Sequence, residues 1–189
     1  MSTPIDTSLT IGGPVPQRLL PALCLALVQD RVCLEDEASS WDPTDGGRIG
    51  NAETLGQTLL VAARDGPLQI FRDGADYGEF PHLQPFLVAH GIAFNHHCLA
   101  CGDQEGELAL FRRGWEAPRM FLATNDGHLT VLASDLPPLV DVLSQASQST
   151  DLAHIQRSLA EATAQIRLLA GLDIPTLTPL VITRRGPQH

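Results

Sequence analysis

Two imidazoles and two thiols in the run His96-His97-Cys98-Leu-Ala-Cys101 form the densest group of reactive side chains in the sequence. Thiolate and imidazole are the ligands zinc prefers, and the Cys-x-x-Cys spacing lets two sulfurs reach one ion across a turn. His90 lies shortly upstream, with His82 and His97 as further imidazoles in reach. A zinc site built from His96, Cys98, Cys101 and His90 is therefore one expectation. Zinc knuckles carry a second ligand pair at close spacing, and Cys24 and Cys33 stand too far apart to be one. The two thiols could instead form a redox dithiol. That reading lacks the Trp-Cys-Gly-Pro context, and it places Cys98 on a strand, away from a helix N-terminus that would lower its pKa. The plain alternative is a strand whose alternate residues Phe94, His96 and Cys98 face the core while His97 faces out.

Carboxylates offer a second chemistry. Asp73, Asp76 and Glu79 flank Tyr77, where paired acids could hold a divalent cation or run general acid–base steps. The spacing lacks the remaining oxygen ligands of a calcium loop and reads equally as a solvated turn, as does Trp41-Asp-Pro-Thr-Asp-Gly-Gly47. Arg112 and Arg113 beside Trp115 make a small basic-aromatic spot that could stack on a base, or could pair with the chain's own acids. Nucleophile elbows, His-Glu-x-x-His helices and strand-linked Gly-x-Gly-x-x-Gly turns are all missing. Every basic residue is Arg, so Schiff-base chemistry, a lysine general base and a P-loop lysine are excluded.

The 189 residues that must position these groups are 43% hydrophobic and 18% charged, the balance of a globular fold and not of a disordered or fibrous chain. A chain of this size can bury roughly 70% of its unfolded surface, enough for a core without staples. A net charge of −10 repels phosphate backbones and anionic lipid, which argues against nucleic acid and membrane surfaces as partners. Leu19 to Val28 is the most apolar stretch, too short to span a bilayer and holding Pro21. The segment before it has no basic flank of a signal peptide, so the expected compartment is the cytoplasm, where four cysteines would be thiols or ligands.

Periodicity sets out the elements. Leu9-Thr-Ile11 predicts a short strand closed by Gly12-Gly13, followed by a helix opened by Pro16 with Leu19, Leu20, Leu23, Leu27 and Val28 on one side, and a strand Arg31 to Leu34. Strand Leu68 to Phe71, a polar turn Arg72 to Gly78, helix Pro81 to His90 with Gly91 as its cap, and strand Ile92 to Phe94 repeat that order. An internal duplication with halves 1–66 and 67–133 is thus open. Leu108 to Phe111, Arg119 to Leu122 and His128 to Leu132 predict an antiparallel meander, with Asn125-Asp-Gly127 as a hairpin turn. The C-terminal third turns helical. Ser134 or Asp135 caps a helix expected to bury Leu136, Leu139, Val140 and Leu143, and Ser149 or Thr150 caps a longer one ended by Gly171. In the latter, Leu152, Ile155, Leu159, Ala162, Ile166 and Leu169 recur at alternating steps of three and four. That seam either docks on its own fold or pairs with the same helix of a second chain. The tail holds a candidate edge strand, Leu180 to Thr183.

The segment Gly78-Glu-Phe-x-x-Leu-x-x-Phe-Leu-x-x-His-Gly-Ile-x-Phe94, followed by Gly106-Glu-Leu-x-x-Phe-Arg112, resembles small uncharacterised bacterial proteins carried on plasmids and other mobile elements. The resemblance implies a bacterial accessory protein and transfers no catalytic residue. Where such proteins continue with an Arg-Pro-Gly turn, this chain has Arg112-Arg-Gly114.

The fold expected from these signals is α+β: a mixed or antiparallel sheet covered by helices over 1–133, a helical hairpin over 134–171 and a tail over 172–189. The function expected is that of a non-enzymatic regulatory or interaction protein. Its acidic groups Glu35, Asp36, Glu37, Asp73, Asp76 and Glu79 would meet a basic protein partner, since complementary charge speeds encounter. Homodimerisation through Leu152, Ile155, Leu159, Ile166 and Leu169 is a further expectation. The rival is a metal- or thiol-dependent protein centred on Cys98 and Cys101.

Overall fold

The computed structural model describes residues 4–34, 66–76, 78–102 and 105–184. The chain divides into two compact units, Met1–Gly127 with Thr176–His189, and His128–Pro175.

In the first unit, β1 (Pro4–Pro16) leads through a 3₁₀ turn at Gln17–Leu19 into α1 (Leu20–Gln29) and the two-residue strand β2 (Cys33–Leu34). The same strand–helix–strand order recurs in β3 (Leu68–Asp76), α2 (Leu83–Ala89) and β4 (Ala93–Cys98), after which β5 (Gly106–Phe111) and β6 (Arg119–Ala123) extend the sheet. Hydrogen-bonded neighbours run β2-β3-β1-β4-β5-β6, each pair antiparallel. The inner four strands, in the order 2-3-1-4 with alternating directions, reproduce the split βαβ, or ferredoxin-like, arrangement. The fold is α+β, as the alternation of strand and helix periods predicts.

Register builds the core. Leu9 sits between Ile70 on β3 and His96 on β4, Ile11 between Leu68 and Phe94, and Phe94 meets Phe111 on β5. These alternate residues share one face, and the Phe94 and Phe111 rings stack with centroids 5.6 Å apart. Leu23 and Leu27 from α1 and Leu83 and Leu87 from α2 are buried in the same cluster. α1 ends with Asp30 at its C-cap and Arg31 at φ 54°, so the chain reverses in the left-handed region without a glycine.

Two strands outrun the sequence signals. Gly12-Gly13 does not close β1, because β8 (Leu180–Thr183) returns to pair with its second half in parallel, Gly13 opposite Leu180 and Val15 opposite Ile182. The glycines permit that approach. A Cβ on Gly12 would stand 2.4 Å from the Thr178 carbonyl, and the Gly13 N–H donates to the Thr178 and Pro179 carbonyls at 3.1 and 3.2 Å. β3 likewise continues through the expected polar turn as far as Asp76, held by its pairing with β1 out to Pro4. Pairing with a long neighbour outweighs the local turn composition.

The second unit holds β7 (Leu129–Thr130), a 3₁₀ turn at Ala133–Asp135, and helices α3 (Pro137–Gln148) and α4 (Leu152–Leu169), which pack against each other. The cap of α4 is Asp151, whose carboxylate accepts from the Ala153 N–H at 3.0 Å, and not Ser149 or Thr150. The Ser149 hydroxyl instead accepts from the Asp151 N–H at 3.1 Å and shapes the entry. Gly171 at φ 62° ends the helix as expected.

Burial along the two helices departs from the predicted seam. Only Leu139 and Ala146 of α3 are buried, while Leu136, Val140 and Leu143 are exposed. On α4 the buried residues are Ser158 and Ala162, with Ile155 and Leu169 half-buried, and Leu152, Leu159 and Ile166 are exposed. The buried and half-buried positions of α4 lie along a line through 155, 158, 162, 165 and 169, with the small Ser158 and Ala162 at its buried centre. At 100° per residue the leucines on a seven-residue step fall roughly 80° round from that line.

Candidate functional site

β4 delivers the reactive run to the sheet with strict alternation, Phe94, His96 and Cys98 buried and Ala93, Asn95 and His97 only partly so. Thr7, opposite Cys98 on β1, joins them on the buried face. The centre of the group is His96 Nε2, which lies 2.8 Å from Thr7 Oγ1, 2.9 Å from the Gly78 carbonyl and 3.2 Å from Cys98 Sγ. Phe80 sets its ring edge-on against the imidazole at 5.2 Å between centroids.

The partners assign the protons. A carbonyl can only accept, so Nε2 carries the hydrogen that meets Gly78. The Thr7 hydroxyl donates to the His97 carbonyl at 2.9 Å, which leaves its oxygen free to share the Nε2 proton, and the Cys98 thiol donates to the Gly78 carbonyl at 3.4 Å. Desolvation by burial holds the His96 pKa down to about 4, against the raising effect of the Gly78 bond and with a small lowering from His97. Burial also pushes the Cys98 thiol up, more than the Thr7 contact lowers it. Both groups are therefore neutral at pH 7. With the His96 Nε2 already protonated and, among the described residues, no base bonded to the sulfur, the pair ties Gly78 to the ends of β1 and β4 and holds Cys98 as a buried thiol.

The other expected ligands lie elsewhere. His97 points to the opposite face and meets the Thr124 carbonyl through Nε2 at 3.0 Å. His90 caps the C-terminus of α2 with its ring tilted on Phe86. Cys101 follows the end of β4, and Cys24 is buried in α1. Among the described residues, no three His, Cys, Asp or Glu side chains converge in a group able to hold a metal ion. Of the proposed set, the structure brings together His96 and Cys98.

Of the acidic set, Glu35, Asp36 and Glu37 lie outside the described residues, Asp73 and Asp76 fall in the second half of strand β3, and Glu79 is exposed. Trp115 is covered by Arg119, whose guanidinium carbon stands 4.1 Å from the ring centre, while Arg112 is buried and donates to the Phe94 and Phe111 carbonyls at 2.9 Å. Of the basic-aromatic spot, Arg112 is thus engaged within the fold and Trp115 is stacked on Arg119, while Arg113 is exposed.

Three features escaped the sequence reading. Thr7 belongs to the His96 cluster, and its alternation with Leu9 and Ile11 was the available signal. Asp30, fully buried, accepts from the His82 and Leu83 backbone N–H groups at 3.1 and 2.7 Å and from His82 Nδ1 at 2.8 Å, so it caps α2 from the end of α1. The third is the flank that the first helix of the hairpin adds: Leu136, Val140 and Leu143, expected to be buried, are exposed beside Leu152, Leu159 and Ile166 of the expected pairing seam, all six between 39 and 67% exposed.

No family model, curated protein or solved structure matches the chain. Among the described residues, no helix is long and apolar enough to cross a membrane.

Proposed function

We propose that the chain is a non-enzymatic interaction protein and that the apolar flank of the α3–α4 hairpin is the surface it presents to a protein partner. The observation that carries this reading is the exposure of six large aliphatic side chains on two adjacent helices. A contiguous apolar patch of this size stands among the largest that monomeric soluble proteins expose, and such patches often serve an interaction. The two stripes belong to one surface. On each helix the exposed residues lead the buried ones in the same rotational sense, and in an antiparallel pair the same sense puts them on the same side. The neutral, enclosed state of His96 and Cys98 supports a structural role for the reactive run, which favours this reading over the metal- or thiol-dependent one.

A photo-crosslinking amino acid placed at Val140 or Leu159 tests the reading in cells expressing the protein. A dominant protein adduct from these positions, and none from Leu168 on the opposite side of α4, is the expected result. Equal labelling from all three positions, or no adduct, would overturn it.

A further inference from the structure

We infer that the occupant of this hairpin face is a second copy of the same chain, paired about a two-fold axis into a four-helix contact. The inference rests on the interaction reading above and names the partner. The first argument is the spacing of the stripe. Leu152, Leu159 and Ile166 follow one another at equal steps of seven residues, so a half-turn centred on Leu159 lays Leu152 on the Ile166 of the other copy and Leu159 on itself. A closed two-fold interface requires a self-matching surface of this kind, and a seven-residue step keeps the row facing an inclined neighbour over several turns.

Charge points the same way. Of the charged residues of the two helices, Asp141, Arg157 and Glu161 fall at 100° per residue on sides away from the stripe, and Arg167, on its flank, is paired with Asp173. The hydroxyls in or beside it, on Ser147 and Thr163, donate within their own helices to the Ser144 and Leu159 carbonyls, each at 2.7 Å, and need no outside partner. A charged partner would find no counter-charge on this face, whereas an identical uncharged face meets it without loss. Area agrees: six side chains exposed to this degree present on the order of 500 Å² per chain, so that two copies together reach about 1,000 Å², the floor for a specific interface.

Sedimentation equilibrium of the full-length protein, from about 1 to about 100 μM, tests the pairing. The expected result is a reversible dimer whose population rises with salt, because two chains of charge −10 repel and added ions screen that repulsion while leaving apolar contacts intact. Val140→Glu and Leu159→Glu should each weaken dimerisation by on the order of a hundredfold with an unchanged circular dichroism spectrum, since both side chains are already exposed within one chain. Val140→Ser gives a milder second variant if a glutamate disturbs the hairpin. Leu168→Glu should leave the dimer intact. A wild-type monomer throughout this range overturns the pairing, as does equal dissociation by Leu168→Glu. A monomer that still crosslinks to a different protein through Val140 and Leu159 refutes self-pairing alone, and a monomer with no adduct refutes both.

Discussion

At the scale of single residues, the His96 cluster makes a pH-dependent contribution to stability with a defined sign. The folded pKa, about 4, lies below the ordinary value of 6.5, so between these values the unfolded chain binds a proton that the folded chain refuses. Stability is whole above pH 6.5 and declines as pH falls, to a loss of about 3 kcal/mol below pH 4. Urea unfolding at pH 7 and pH 4.5 should show a larger loss for the wild type than for His96→Gln, whose amide keeps a donor without titrating. Equal losses would remove His96 as the cause. The variant His96→Leu leaves the Gly78 carbonyl without its imidazole donor and should cost about 1–3 kcal/mol even at pH 7. The alternation of Phe94, His96 and Cys98 was legible in the sequence, because a strand's two-residue period fixes which side chains share a face. The hydrogen bonds of His96 to Thr7 and Gly78 were not, since each spans a distance along the chain that no local pattern reports.

At the scale of elements, Asp30 joins two helices that share no sequence neighbourhood. Its buried carboxylate takes the place of a cap side chain within α2, whose own N-cap residue His82 provides none. Asp30→Ala is expected to lower stability by about 2–4 kcal/mol, since three donors lose their acceptor, and to leave the N-terminal turn of α2 open to hydrogen exchange. Unchanged protection of Leu83 and its neighbours would show that α2 holds itself. The elements themselves were largely legible. Both strand–helix–strand runs, the β5–β6 strands and the two C-terminal helices carry clear apolar periods, and Gly91 and Gly171 mark helix ends as expected. What failed was the assignment of the buried face of the hairpin. A row of leucines at alternating steps of three and four looks like a core seam, yet the buried residues are the small Ser158, Ala162 and Ala146 with Leu139, and small residues give little hydropathy signal. Gly12-Gly13 failed for a related reason, because glycines that end a strand and glycines that admit a neighbouring chain are the same letters. Gly12→Ala is expected to cost about 1–3 kcal/mol, as the new methyl meets the Thr178 carbonyl and β8 must shift. A melting temperature equal to wild type would show that β8 moves aside freely.

At the scale of the whole molecule, the path of the chain matters more than any one contact. The sheet unit is left at Gly127 and re-entered at Thr176, with the helical unit carried between. Leu180 is buried in the sheet core, and β8 is bonded to β1. Removing every residue after Pro175 should therefore destabilise the sheet unit by several kcal/mol, which urea unfolding followed by the fluorescence of Trp115 would measure. Unfolding midpoints that match those of the full chain would mean that β8 is ornament. The same path governs how the protein comes into being. A ribosome delivers β1 long before β8, so the partner of Val15 is still unmade when most of the sheet has already left the exit tunnel. Until synthesis reaches Thr183, the second half of β1 keeps an open edge, and at 5–20 residues per second that interval lasts on the order of ten seconds. For a nascent chain, this is the time in which a chaperone must hold it or a neighbouring nascent copy can lend the missing strand.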